Sequence, residues 1–365
     1  MHRLTVIAAL WLATVAHAVP INPTSDQQVI ERLPPATRIS ASDDPVVAAA
    51  EARALIAASR TEGDPRFAGQ ALARLARWQA QPQAPSGVVL ALAEAEQYLH
   101  NFDSATARLQ ALVQREPANP QAWLLLATLH RVQGRYGPSD QACAALQQLR
   151  VQPYAEACIA ENLALRGDNN TARALLQGLI NRATAPATRA WLLTTLAELE
   201  ERAAQPAASD TAWQQSLQAA PDTYTAIGYA DFLLDQQRAQ AAWDVLAPLP
   251  RSEGVLLRQA IAARRLNRPE APALRAELRA RHAQADLRPE DSGHQRERAL
   301  RALDIELQPA AALVHAKKNL ARQREPIDLW LLARSAVAAG DPAALAQARR
   351  LAREQGLHDA RIDAL

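Results

Sequence analysis

From Asp44 to the C-terminus, apolar residues recur at the three- and four-residue spacing of one helix face, while proline and glycine are confined to the gaps between runs. Pro45 stands where the first helix would begin, and a long alanine and leucine series follows. Alanine has the highest intrinsic helix propensity, and its small side chain lets helices approach closely. The pattern therefore predicts an almost entirely α-helical body. Its units fall at 45–80, 86–116, 120–150, 154–182, 191–221 and 224–246, each a helical hairpin. Looser units follow at 254–283, 295–322 and 328–355.

The units are repeats. Phe102 returns as Tyr136, Leu92 as Leu126 and Ala93 as Ala127, each 34 positions on. A single helix pair cannot bury its apolar face, so a period of this length implies stacked pairs sharing one continuous core. Trp123, Leu126, Ala127, Gly134 and Tyr136 together resemble the signature of the tetratricopeptide repeat, as found in uncharacterised exported bacterial proteins of that family. Trp330-Leu331-Leu332-Ala333 followed by Gly340-Asp341 repeats it near the end. The resemblance is strongest over 86–150 and weaker after 250. It implies an all-α, tetratricopeptide-like solenoid of antiparallel helix hairpins forming a right-handed superhelix.

In that family the first helix of each hairpin lines a concave groove that binds proteins. The register places Glu94, Gln97 and Tyr98 there from one unit, Thr128 and Arg131 from the next, and Glu161 from the third. Tyr98 and Arg131 are the largest of these groups and belong to the types that dominate interface hot spots. Arg131 is expected between Glu94 and Glu161. Leu90 and Glu94 stand where the version that clamps a C-terminal carboxylate needs Lys and Asn, so that specificity is not implied. Trp123, Trp191, Trp213, Trp243 and Trp330 sit in apolar contexts that predict core packing.

The N-terminus changes the compartment. Arg3 precedes an apolar run over 4–15, and Ala16-His17-Ala18 supplies the small residues of a cleavage site, so 1–18 reads as a signal peptide cut before Val19. The run is too short for a membrane span, which needs about 20 residues. A proline-rich, aperiodic stretch over 19–43 reads as a flexible arm before the repeat domain at 44–365. Export raises the question of a disulfide between Cys143 and Cys158, the only cysteines. The register puts them on adjoining helices of successive units, where either a bridge or two buried thiols would fit.

Charge is polarised along the chain: 251–365 holds 21 basic and 15 acidic residues, although the whole chain has a net charge of only +2. Arg258, Arg264, Arg265, Arg268, Arg275, Arg279 and Arg281 form the densest basic set, and an anionic envelope polymer or exopolysaccharide is the alternative partner they suggest. Nucleic acid is not expected, because no aromatic residues interleave with the arginines.

Catalytic motifs are missing: there is no G-x-S-x-G, no G-x4-G-K-[ST], no H-E-x-x-H and no G-x-G-x-x-G. His282, Asp286, Glu290, Asp291, His294 and Glu297 make the densest titratable cluster, at no recognised metal spacing. The sequence thus predicts an exported scaffold that binds a protein partner in a cell-envelope assembly, does not span the membrane, and needs no metal or cofactor.

Overall fold

The computed structural model describes residues 42–286 and 294–365. The predicted signal peptide, nearly all of the 19–43 arm, Glu290 and Asp291 lie outside them. Nineteen α-helices make up the described chain. The first six hairpins are α1 (Pro45–Glu62) with α2 (Pro65–Arg74), α3 (Ser86–Tyr98) with α4 (Phe102–Arg115), α5 (Pro120–Val132) with α6 (Tyr136–Gln148), α7 (Tyr154–Leu165) with α8 (Asn169–Arg182), α9 (Pro186–Arg202) with α10 (Pro206–Ala219), and α11 (Thr223–Asp235) with α12 (Ala239–Leu246). Then come α13 (Glu253–Arg265) with α14 (Ala271–Asp286), α15 (Gln295–Asp304) with α16 (Pro309–Asn319), α17 (Pro326–Ala339) with α18 (Pro342–Gln355), and the short α19 (Ala360–Ala364). No strand occurs among the described residues. The result is an all-α solenoid of repeated hairpins, consistent with a tetratricopeptide-like superhelix.

Local chemistry sets these boundaries. Proline occupies the first turn of α1, α2, α5, α9, α10, α16, α17 and α18, where its missing N–H costs nothing and its φ suits a helix. Side chains of Asp44, Asn119, Asp168, Asp222, Ser252 and Asp341 accept hydrogen bonds from first-turn N–H groups. The first helix of each unit is followed by one left-handed residue: Gly63, His100, Gly134, Gly167, Ala204, Gln237, Asn267, Leu307 and Gly340. The N–H that follows reaches back five residues, as in Arg135 to His130 (2.7 Å), Asp168 to Leu163 (3.0 Å) and Arg238 to Leu233 (2.8 Å).

Buried side chains form two neighbouring clusters, one running from Ala48 to Cys158 and the other from Tyr136 to Ile362. Trp213 is 1% exposed and packs into the second. Trp191 departs from the core expectation: its face of α9 looks outward, and the indole lies against Tyr154 at a ring separation of 5.7 Å.

The solenoid turns back on itself. Its last hairpin and α19 lie against the turns that end α5, α7, α9 and α11. The Arg324 N–H donates to the Val132 carbonyl (2.8 Å) and the His358 N–H to the Leu165 carbonyl (2.9 Å). Trp330 Nε1 donates to Asp235 (2.9 Å), and Arg361 pairs with Glu201. The last turn of a helix leaves carbonyls without partners in their own helix; two of them are satisfied here from across the superhelix.

Candidate functional site

The six residues predicted for the concave face do not form one patch. Thr128, Arg131 and Glu161 come together: Arg131 Nη2 lies 2.9 Å from Glu161 and 3.5 Å from Thr128 Oγ1. Glu94 does not flank Arg131 as expected. It faces Arg53 of α1, with Nε 3.8 Å away, because α1 packs beside α3 and brings a nearer cation. Burial raises the Glu94 pKa, against the pull of Arg53 and Arg60. Tyr98 donates its hydroxyl to the Ser59 carbonyl (2.8 Å), and burial together with the Asp64 charge pushes its phenol up.

Gln97 and Tyr98 do line a cavity of about 540 Å³ on the inner side of the superhelix. Its other walls come from far along the chain: Tyr224 and Ile227 of α11, Glu253 of α13, and Arg322 and Glu325 before α17. A smaller cavity of about 210 Å³ shares Tyr224, Ile227 and Glu325 with it and continues between α9, α11 and α19. Glu198, Glu201, Arg202, Asp231, Arg258, Arg296 and Arg361 supply its charged groups.

Most of those charges cancel in pairs. Arg258 grips Asp231 with two nitrogens (2.8 and 2.7 Å), Arg296 binds Asp328 (2.6 Å) and Glu325, and Arg361 binds Asp359 (2.7 Å) and Glu201. Glu198 receives only the Tyr224 hydroxyl, at 3.0 Å. Burial lifts Glu198 to about 7 against the opposing charge of Arg202, and lifts Glu201 to about 7 against Arg361. Arg202 has no hydrogen bond or ion pair among the described residues, and its Nε is buried without a partner.

Of these groups only Arg258 belongs to a set that the sequence singles out, but the register carries a signal for two of the others. Glu94, Thr128 and Glu161 each lie six residues before a left-handed turn residue, and the same step in the next two units lands on Glu198 and Asp231.

Of the predicted titratable cluster, His282 Nε2 and His294 Nδ1 both reach Glu253 Oε1, at 2.9 and 3.1 Å. Burial would raise the Glu253 pKa, but the two imidazoles overrule it and hold the carboxyl well below its usual range. Asp286 instead pairs with Arg298 (2.8 Å). Among the described residues, no group of three or more His, Cys, Asp or Glu side chains could hold a metal ion, and no helix is long and apolar enough to cross a membrane.

The arginine set is largely engaged within the chain. Arg258 is bound as above; Arg264 donates to the Asp304 carbonyl and Arg265 binds the Asp304 carboxylate (3.1 Å). Arg268 stacks over Trp243 at 4.3 Å, Arg279 binds Glu306 (2.8 Å) and Arg281 binds Glu277 (2.6 Å). Cys143 and Cys158 are joined in a disulfide with Cα atoms 5.6 Å apart, tying α6 to α7.

No protein-family model matches the chain, and no curated protein matches its sequence. Solved structures resemble it in fold. Human IFIT1, as a dimer with PPP-AAAA, is 13% identical over 86% of this chain and 73% of its own, with a TM-score of 0.45. The Pseudomonas aeruginosa protein pilF is 15% identical over 53% of this chain and 89% of its own, at 0.39. Yeast Tom70 is 10% identical over 87% of this chain and 85% of its own, at 0.27. At these values the likeness concerns helical-repeat architecture alone.

Proposed function

We propose that the protein is an exported scaffold that binds a protein partner within a cell-envelope assembly, and that the partner enters the inner cavity beside Gln97 and Tyr98. The observation that carries this reading is the position of those two residues. The register of the most regular repeats selected them, and they line an open cavity of about 540 Å³ walled by four distant parts of the chain. Stacked hairpins expose a broad surface of fixed shape, the property for which solenoids serve as binding platforms. The Cys143–Cys158 bridge supports an extracytoplasmic location, since disulfides persist where the environment is oxidising. So does the signal-like pattern of 1–18.

Crosslinking in the envelope fraction, followed by quantitative binding of the captured protein, tests the reading. The double variant Tyr98→Ala, Arg131→Ala should weaken that binding by at least ~2 kcal/mol with helicity unchanged. Tyr98 would lose its place in the cavity wall, and Glu161 would lose the cation that neutralises it. Unchanged affinity would remove the site from this face.

A further inference from the structure

The smaller cavity has an unusual electrostatic composition. Every guanidinium of its wall except one is held by a carboxylate: Arg258 by Asp231, Arg296 by Asp328 and Glu325, and Arg361 by Asp359 and Glu201. The exception is Arg202, which is only 7% exposed. A buried charge is costly unless it is paired and hydrogen-bonded, so an arginine without a carboxylate partner, in a wall where the other guanidiniums have one, is suited to hold an anion. Glu198 is the complementary case, a carboxylate with a hydroxyl donor but no cation bound to it. The two lie one turn apart on α9, the spacing of an ordinary helix ion pair, yet they do not join.

We propose that this cavity binds a small zwitterion, a free α-amino acid, with its carboxylate on Arg202, its ammonium on Glu198 and its side chain against Tyr224 and Ile227. The reading is independent of any protein partner.

The chemistry selects this class by elimination. A simple anion such as phosphate would meet Arg202 but also the carboxylate of Glu198. A simple amine would meet Glu198 but also the Arg202 guanidinium. Only a ligand carrying both charges a few bonds apart satisfies both, and guanidinium with carboxylate is the strongest such pairing. Size agrees: about 210 Å³ is below the ~300 Å³ at which drug-sized sites begin. Tyr224 is 69% exposed and borders both cavities, so it stands where a ligand would pass from the larger to the smaller. Gly228 shapes the floor, since a Cβ there would lie 2.7 Å from the Trp213 ring.

Isothermal titration calorimetry of the full chain tests this with L-leucine and L-phenylalanine as probes. The controls are 4-methylpentanoate, which is leucine without its ammonium, 3-methylbutylamine, which is leucine without its carboxylate, and inorganic phosphate. At least one amino acid should bind saturably and at least about tenfold tighter than every control. Arg202→Gln and Glu198→Gln should each lower that affinity at least about tenfold while circular dichroism stays unchanged. If Arg202→Gln does not fold, the nearly isosteric Glu198→Gln decides alone. No saturable heat with either amino acid, binding of a control as tight as theirs, or unchanged affinity in a folded variant would each overturn the proposal.

Discussion

Left-handed backbone costs an L-residue roughly 1 kcal/mol relative to glycine, and this chain adopts it at the same turn in unit after unit. At Gly167 (φ +88°) the turn is also crowded, since a Cβ would lie 2.9 Å from His358 Cγ. At Ala204 (φ +53°) the methyl group is already present in a conformation that favours glycine. Opposite effects should follow in urea unfolding. Gly167→Ala should lose about 1–3 kcal/mol, whereas Ala204→Gly should gain up to about 1 kcal/mol; effects of the same sign would contradict the turn assignment. Gly134 and Gly167 are legible in the sequence as repeat landmarks because glycine announces a turn. Ala204 and Gln237 do the same work without announcing it, which blurs the register just where it would have pointed to Glu198 and Asp231.

Helices and hairpins were the most readable level, because their signals are local. Pro65, Pro120 and Pro342 open helices where the sequence placed them, and Asp44 caps the first. Pairings between units were readable only where register alone brings two residues close, as with Cys143 and Cys158. Their bridge closes a loop with a sequence separation of 15 residues, which corresponds to about 3 kcal/mol of stability. Replacing both cysteines with serine should remove about that much, and reducing agent should do the same to the parent chain while leaving the double variant unaffected. A urea midpoint that ignores reductant would show that the bridge is absent in solution. The pairing of Arg361 with Glu201 spans 160 residues and depends on the curvature summed over five hairpins. No local pattern encodes that sum.

At the scale of the whole molecule, the same summed curvature makes the difference between an open groove and a closed one. The sequence predicted a superhelix with a free concave face. In the structure the last hairpin and α19 return to the turns of α5, α7, α9 and α11, and Glu325 and Arg361 become walls of the inner cavities. Polarised charge takes on a corresponding role: the basic C-terminal part brings Arg334 and Arg361 to carboxylates at the ends of α11 and α9, Asp235 and Glu201. Closure thus converts charge asymmetry along the chain into internal pairing.

Amide hydrogen exchange at Arg324 and His358 tests that closure most directly. Both N–H groups lie outside helices and donate across the superhelix, to Val132 at 2.8 Å and Leu165 at 2.9 Å. A closed solenoid predicts exchange slowed at least about a hundredfold relative to a free loop at both positions. Exchange at the free-loop rate, with the neighbouring helices still protected, would show that the superhelix stands open.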